Sequence, residues 1–484
     1  MKIKLPTDVR MIIDRFEKNG FSAYAVGGCV RDSLLQKEPN DWDICTDALP
    51  QDILRLFSDF HTFDTGIKHG TVSVVINSSV YEITTFRIDG EYFDNRHPEK
   101  VEFTDDLVTD LSRRDFTVNA MAYSDRTGLV DPFDGAYDLE LMAVRCVGNP
   151  VERFTEDALR IMRALRFASC YNMAIEKHTA NAIFECKKLL NNIAAERITA
   201  EFNKLVCGEN CEYIMRRFKD VFAVFLPEIS IMFGYDQHTK HHNKTLWRHT
   251  TCAMTNIDPT PLLRITMLFH DLGKPMACKR DPDGTAHFKG HPKFSAVMAE
   301  QILERLKYPR DFIDDCVTLI AFHDVRFTGS KPQIKRVMNK IGETDMRRLL
   351  KVQYADLTAQ SMYLRDEKMS KYNLACAAFE EVLKEKDCFT LKQLVINGHD
   401  LIKTGITDGK QIGNILDKLL GMVIDEKIEN KNSILMQKAK ELSGIDELYR
   451  KQKPQISVGL SAVKLFLIII ILVIGSNVYH FRFV

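Results

Sequence analysis

At Asn149-Pro150 the pattern of this chain changes from alternating strand and helix signals to helix signals alone. Strands bury alternate residues, whereas helices bury a stripe that recurs about every 3.6 residues. A single switch of period therefore asks for an α+β head followed by an all-α remainder. Upstream of the switch, Thr7 to Gly20 reads as an amphipathic helix stopped by glycine, and Phe21 to Val26 as a short strand running into Gly27-Gly28. A second strand, Trp42 to Thr46, follows the turn-like Glu38-Pro39-Asn40. Gln51 to Phe57 reads as a helix, and Thr71 to Ile76 with Ser79 to Phe86 as a hairpin through Asn77-Ser78. Downstream, Thr155 to Tyr171 and Ala194 to Cys207 are expected helices, and helical character persists to about residue 440.

A chain of 484 residues exceeds what one hydrophobic core usually serves. The expected divisions are a head at 1–148, a helical neck at 149–210, a helical body at 211–385, a helical tail at 386–450 and an apolar extension at 451–484. Lys+Arg and Asp+Glu both total 66, so a nucleic-acid partner must be met by a local basic patch rather than by bulk charge. The 12 cysteines form no CxxC pair, which is the usage of reduced thiols in a cytoplasmic protein. The N-terminus carries no apolar run with a small-residue cleavage site, so no secretory signal is expected. Residues 458–479 are apolar apart from Lys464 and a few small or polar residues. Two readings stand for them: a membrane anchor of nearly bilayer length, or a buried or frame-altered tail.

Chemistry is concentrated in the head. Asp41-Trp42-Asp43 places two carboxylates at i and i+2 of an extended segment, so both project from one face. Paired hard oxygen ligands suit Mg²⁺, which commonly takes one or two carboxylates together with substrate phosphates. Upstream, Gly27-Gly28-Cys29-Val30-Arg31-Asp32 closes a strand and opens a helix, where backbone N–H groups and the Arg31 guanidinium suit a triphosphate. Either motif alone is commonplace; their combination around a strand–turn–strand is what points to a site. GGCVRD followed by NDWDI resembles the nucleotidyltransferases of the DNA polymerase β superfamily, specifically the bacterial-type (class II) CCA-adding enzymes and poly(A) polymerases. The resemblance implies that Asp41 and Asp43 hold the metals and that Gly28 and Arg31 contact the nucleotide. It also implies a third carboxylate, for which Glu82 on a neighbouring strand is the candidate; a solvent-facing strand residue is the plain alternative.

Arg113-Arg114-Asp115 offers guanidinium groups for phosphate and a carboxylate for a ribose 2′-hydroxyl, and RRDFTVNA is similar to the family's RRDxTxNA element. This raises Arg114 and Asp115 to site candidates. The polar stretch Asp89 to Phe103 reads as a mobile loop, similar to the one family members need for the last A. Asp157 and Arg160, three apart on an expected helix, present an acceptor beside a donor. That pair matches the amino group and ring nitrogen shared by cytosine and adenine, and mismatches uracil and guanine by about 1–3 kcal/mol per bidentate pair. Arg160, Arg163 and Arg166 form a ridge that is costly to bury without an anion, and the segment resembles the family's EDxxRxxRxxRF nucleobase-selecting element. The implied reaction is CCA addition to a tRNA 3′ end from CTP and ATP, with Mg²⁺ and release of pyrophosphate.

Farther along, His249, His270-Asp271 and Asp356 form a spaced set of metal-capable side chains, with His291 and His323 as further candidates. The series resembles HD-type metal-dependent phosphohydrolases, which implies a transition metal such as Ni²⁺ or Mn²⁺ and a second, hydrolytic activity in the 211–385 body. Leu394 to Leu416, with glycine-punctuated turns, is similar to the family's RNA-binding tail. Poly(A) or A-only synthesis by the same head, and a chain acting mainly as an HD phosphohydrolase, remain as alternatives. No obligate protein partner is indicated.

Overall fold

Period-two burial builds the head around one mixed sheet, seen in a computed structural model that describes residues 2–90 and 101–443. In chain order the head begins with α1 (Thr7–Lys18), β1 (Ala23–Val26), α2 (Gly28–Leu34), β2 (Ile44–Thr46) and α3 (Pro50–Leu56). Strands β3 (His61–Phe63), β4 (Thr71–Ile76) and β5 (Ser79–Thr85) follow, then the short pair β6 (Arg87–Asp89) and β7 (Val101–Phe103). The helix α4 (Leu107–Ser112), the strands β8 (Ala122–Ser124) and β9 (Gly128–Val130) and the helix α5 (Gly135–Glu140) complete it. The main sheet runs β3-β4-β5-β2-β1-β8-β9. All its neighbours are antiparallel except β2 and β5, which pair in parallel with Ile44 opposite Ile83.

β4 alternates half-buried and buried residues along its length, so Val72, Val74 and Ile76 face the core. On the other strands Val26, Cys45, Phe86, Leu111, Ala120 and Ala122 pack into one cluster, each at most 2% exposed. That cluster lies beneath the ends of β1 and β2, where the glycine turn and the aspartates emerge, and it fixes their separation.

Three expectations need correction. The second strand begins at Ile44, so Asp41-Trp42-Asp43 is the segment leading into it and not part of the ladder. The helix expected from Thr155 to Tyr171 is two helices, α6 (Pro150–Glu156) and α7 (Leu159–Cys170). Asp157 between them takes an extended backbone (φ −132°, ψ 103°), and its carboxylate accepts the Leu159 N–H at 3.0 Å as a cap for the second helix. Helices also do not have the remainder to themselves. Ala143–Val144 pairs in parallel with Ala174–Ile175, and Lys279–Arg280 pairs antiparallel with Ala286–His287.

The chain divides into two units. The larger comprises residues 1–330 and 340–380 and contains the head, α6, α7, the helix Ala195–Val206 and the helices that carry His249 through Asp356. The smaller comprises, among the described residues, 331–339 and 381–443. Its helices Gly409–Ile424 and Asn432–Ser443 bury Leu419, Leu435 and Ala439 completely, around Leu401 of the short helix Gly398–Ile402. Its Lys335, 3% exposed, pairs with Glu426 at 2.9 Å.

The expected loop from Asp89 to Phe103 is bracketed by the paired strands β6 and β7, and its span 91–100 lies outside the described residues. The apolar stretch 458–479 also lies outside them. Among the described residues no helix is long and apolar enough to cross a membrane.

Candidate active site and a second metal-capable cluster

The head site begins at the turn between β1 and α2. Gly27 has φ +80°, a conformation open to glycine and strained for other residues, and a Cβ there would lie 3.0 Å from Arg114 Nη1. Both properties let the Arg114 guanidinium rest against the turn. Arg114 is tied to Asp110 by a long 3.4 Å contact, and its Nε has no partner. It therefore has donor capacity to give to an anion beside the turn.

Asp41, Asp43 and Glu82 lie near it, close enough for the charges of Asp41, Glu82 and Arg114 to act on Asp43. The parallel register of Ile44 with Ile83 sets Asp43 and Glu82 level on neighbouring chains, one residue earlier. Asp43 is open to solvent along one side yet crowded by protein on the others. Its carboxyl is pushed up to about 6, first by desolvation and then by the charges of Asp41 and Glu82, against the opposing Arg114. Mutual repulsion among three carboxylates is what a cation relieves, and the all-oxygen donor set fits Mg²⁺. The acidic residues expected from the motif, Glu82 included, thus lie within electrostatic reach of Asp43.

The arginine ridge is partnered inside the protein. Arg160, 9% exposed, reaches Glu156 at 2.6 Å and the carbonyls of Arg153 and Arg113 at 3.2 and 3.0 Å. Arg163 grips Asp115 with Nε at 2.7 Å and Nη2 at 2.6 Å. Arg166 pairs with Glu201 at 2.7 Å and lies over the Phe167 ring. Burial would raise the Asp115 carboxyl, but Arg163 and Asn119 hold it below its ordinary range. Burial pulls Arg166 down despite Glu201.

Two placements differ from the sequence reading. Asp157 and Arg160 do not share a helix face, because Asp157 sits in the break before α7 while Glu156, four residues ahead of Arg160, captures its guanidinium. The Asp157 carboxylate is instead held by Arg197 at 3.1 Å. Arg31 is 6% exposed and turned inward, donating to Asn119 Oδ1 at 2.6 Å, Tyr171 Oη at 2.7 Å and Asp32 Oδ1 at 2.9 Å. These contacts fix the guanidinium against the inner side of the turn, so Arg31 shapes the cradle. Gly28 opens α2 at the cradle itself, with Arg31 Nη2 3.6 Å from where its Cβ would be. Sequence reasoning missed Arg197, Glu201, Asn119 and Tyr171. Arg197 and Glu201 were detectable as an i, i+4 pair with charges suited to the ridge; Tyr171 gave no signal.

The second cluster is buried. His249 and His270 are fully buried, Asp271 is 2% exposed, and the Asp356 side chain keeps a 22% opening. His249 Nε2 lies 2.9 Å from Asp356 Oδ1 and 3.3 Å from Asp271 Oδ2, and His270 Nε2 lies 3.1 Å from Asp271 Oδ2. Four potential ligand atoms from these residues lie within 4.8 Å of one another, and Asp271, His291 and His323 form a second such group. Burial opposes a charge on His270, but Asp271 and Asp356 outweigh it and push the imidazole up to about 10; both carboxyls are held well below their usual range. Sequence reasoning did not anticipate Lys274, 2.7 Å from Asp271 Oδ2, or His242, whose ring centroid is 4.7 Å from that of His249. Burial, then Lys274 and His249, push His242 down to about 2.

A mixed sheet that gathers three carboxylates beside a glycine turn, with an arginine against that turn, defines a metal-dependent nucleotidyltransferase head. Comparison with known proteins narrows the class. Residues 23–145 match the poly(A) polymerase head domain, 172–232 the probable RNA- and SrmB-binding site of polymerase A, and 291–439 the tRNA nucleotidyltransferase domain 2. The CCA-adding enzyme of Limosilactobacillus reuteri is 34% identical over 449 residues, covering 92% of this chain and 99% of that protein. That of Enterococcus faecalis is 32% identical, covering 89% and 94%. The structure of the Bacillus stearothermophilus CCA-adding enzyme in complex with CTP is similar at a TM-score of 0.67 and 27% identity, over 92% of this chain and all of that one. A Thermotoga maritima CCA-adding enzyme complexed with tRNA shares the fold at a TM-score of 0.55 and 20% identity. The chain belongs to the CCA-adding enzyme family of tRNA nucleotidyltransferases.

Proposed function

We propose that this chain adds CCA to the 3′ end of tRNA, taking CTP and then ATP and releasing pyrophosphate. The observation that carries the reading is the convergence of Asp41, Asp43 and Glu82 beside the Gly27-Gly28 turn. Asp41 and Asp43, with Glu82 alongside, would hold Mg²⁺, which would supply Lewis-acid activation of the attacking ribose hydroxyl and charge stabilisation for the leaving pyrophosphate. Arg114 presents its free donor capacity to the phosphates at the turn, while Arg31 keeps that turn in shape through Asn119 and Asp32. Asp115, held by Arg163, Asn119 and the Phe116 N–H, meets the ribose 2′-hydroxyl by exchanging one of these contacts for it.

Base choice rests on Asp157 and Arg160. Asp157, already fixed by Arg197, accepts from the exocyclic amino group of cytosine or adenine. Arg160 donates to the ring nitrogen after exchanging its Glu156 contact for the base. Arg163 and Arg166 hold α7, which carries Arg160 and begins just after Asp157. Uracil and guanine bring a carbonyl to Asp157 and are rejected. Incorporation of each of the four labelled nucleotides onto a tRNA transcript ending before CCA tests this directly. CTP should be used, and ATP once unlabelled CTP has supplied the two C residues, with UTP and GTP disfavoured by a factor on the order of 10–100, corresponding to one mismatched bidentate pair. Equal use of all four would refute it.

A second reading adds to the first. The enclosed cluster of His249, His270, Asp271 and Asp356 supports an HD-type metal centre holding Ni²⁺ or Mn²⁺ with phosphohydrolase activity. His249 Nε2, His270 Nε2 and Asp356 Oδ1 are buried without a well-formed hydrogen bond, a donor set that a cation would satisfy. Hydrolysis of a 2′,3′-cyclic nucleotide with either metal, lost in Asp271→Ala, is the expected result. All 12 cysteines are free, in keeping with a cytoplasmic setting. The smaller unit, with Leu394–Leu416 at its turns, is assigned to tRNA. A membrane attachment through 458–479 rests on its apolar pattern alone.

A further inference from the structure

Tyr171 joins two parts of the head site that would otherwise act separately. It caps the C-terminus of α7, where its N–H reaches the Phe167 carbonyl at 3.0 Å. Asn172 then turns left-handed (φ +52°), and the Met173 N–H returns to the Ala168 carbonyl at 3.1 Å, closing the helix in a Schellman motif. Met173 is fully buried, and Ala174–Ile175 pairs with Ala143–Val144 directly afterwards. The tyrosine is therefore held in place from both sides. Arg160, Phe167 and Tyr171 are spaced i, i+7 and i+11, so they lie along one stripe of α7.

The side chain reaches into the cradle. Its hydroxyl accepts from Arg31 Nη2 at 2.7 Å and donates to Asp32 Oδ1 at 3.1 Å, while Arg31 Nε donates to the same Asp32 oxygen at 2.9 Å. These three groups close a ring on α2, the helix that opens at Gly28. The aromatic face takes Arg31 Cζ at 4.6 Å and Lys37 Nζ at 4.7 Å from its centroid. Lys37 lies in the segment that runs from α2 to Asp41 and Asp43, and its N–H is anchored on the Asp32 carbonyl at 2.8 Å. Phe167, one turn back on α7, carries Arg166 at 4.2 Å and Arg31 at 5.0 Å over its ring. Arg160 lies about three turns, roughly 16 Å, from Tyr171 along the helix, so a base read by Arg160 is out of its reach.

We propose that Tyr171 is a positioning residue for nucleotide selection: it locks the base-reading helix α7 to the cradle on α2, so that a base accepted at Asp157 and Arg160 brings its α-phosphate into register with Asp41 and Asp43. The proposal rests on the base-selection reading above and deepens it. A correct base speeds the reaction only if its contact also sets the position of the reacting phosphorus. Hydrogen bonds to two charged partners are directional, so they transmit position where apolar packing alone would slip. With the link cut, cytosine still binds, but its α-phosphate arrives out of register and its rate falls toward that of a mismatched base.

Initial rates of CTP and of UTP addition to a tRNA transcript ending before CCA test this in the full chain. Tyr171→Phe keeps the ring and both cation contacts and removes only the hydroxyl, whereas Tyr171→Leu removes all three. The ratio of kcat/KM for CTP to that for UTP does not depend on how much of a preparation is folded, so lost stability cannot imitate the effect. Tyr171→Phe should lower that ratio about tenfold, the scale of one hydrogen bond to a charged group, through kcat for CTP with its KM little changed. Tyr171→Leu should lower it at least as far. In Asp157→Ala, where base reading is already lost, adding Tyr171→Phe should leave the ratio unchanged. Equal losses with CTP and UTP in both variants would overturn the proposal and leave selection by Asp157 and Arg160 standing. A further fall of the ratio in the Asp157→Ala background would show Tyr171 acting independently of that pair, and would also overturn it. A parent chain that uses CTP and UTP alike would overturn the selection reading and the proposal together.

Discussion

Single side chains in the head carry charges that only particular partners make tolerable, and their removal has calculable consequences. Asp43→Asn weakens the cation site and should lower nucleotidyl transfer on the order of a thousandfold or more in single-turnover assays, with the fold intact by circular dichroism. Asp157→Ala removes the acceptor that distinguishes an amino group from a carbonyl. It should cost about 1–3 kcal/mol of discrimination, read as a fall in the CTP/UTP ratio of kcat/KM. Equal losses with all four nucleotides would contradict a base-reading role. Asp115 contributes to stability with a definite sign. Its folded value lies below the unfolded value of about 3.9, so its stabilisation is present above that pH and is lost as pH falls through the folded value. Asp115→Asn should therefore flatten the acid limb of the stability curve, measured by urea denaturation below about pH 5.

At the scale of elements, the sites depend on how turns and helix ends deliver those side chains. Gly27→Ala forces an L-residue to φ +80° and brings a Cβ against Arg114. About 1–2 kcal/mol of destabilisation is expected in equilibrium unfolding, together with a raised KM for both nucleotides. Glu201→Ala strips the partner from Arg166 between α7 and the helix Ala195–Val206. Removing one side of so buried an ion pair should cost about 3 kcal/mol.

The strands and helices with clean periodicity were legible in the sequence. The hairpin of β4 and β5 and the first helix match expectation to within a residue or two at each end. The break at Asp157 was not legible. EDALRIMRALRF has uninterrupted helical spacing, and the cap that ends one helix and starts the next depends on Arg197, forty residues away. The surroundings of Arg31 were not legible for a related reason. Its motif suggested a phosphate contact, whereas its inward direction is set by Asn119 and Tyr171, whose proximity only the tertiary fold supplies. The carboxylate trio was legible in part: the i, i+2 spacing of Asp41 and Asp43 lies in the segment leading into β2, and the parallel pairing of β2 with β5 sets Glu82 level with Asp43. The metal-capable cluster was legible as a set of residue types, but its division into two groups that share Asp271 depends on positions no spacing rule provides.

For the whole molecule, two chemistries on one chain should separate. Asp43→Asn should abolish nucleotide addition yet retain Mn²⁺- or Ni²⁺-dependent hydrolysis of cyclic nucleotides, and Asp271→Ala should remove that hydrolysis. The central claim concerns the head, and extension of a tRNA transcript ending before CCA tests it most directly, with CTP, ATP and Mg²⁺ supplied to the full chain and to its Asp41→Asn, Asp43→Asn variant. The account predicts that the full chain adds C, C and A and then stops, and that the variant adds nothing. Runaway A addition by the full chain, or addition that persists in the variant, would contradict it.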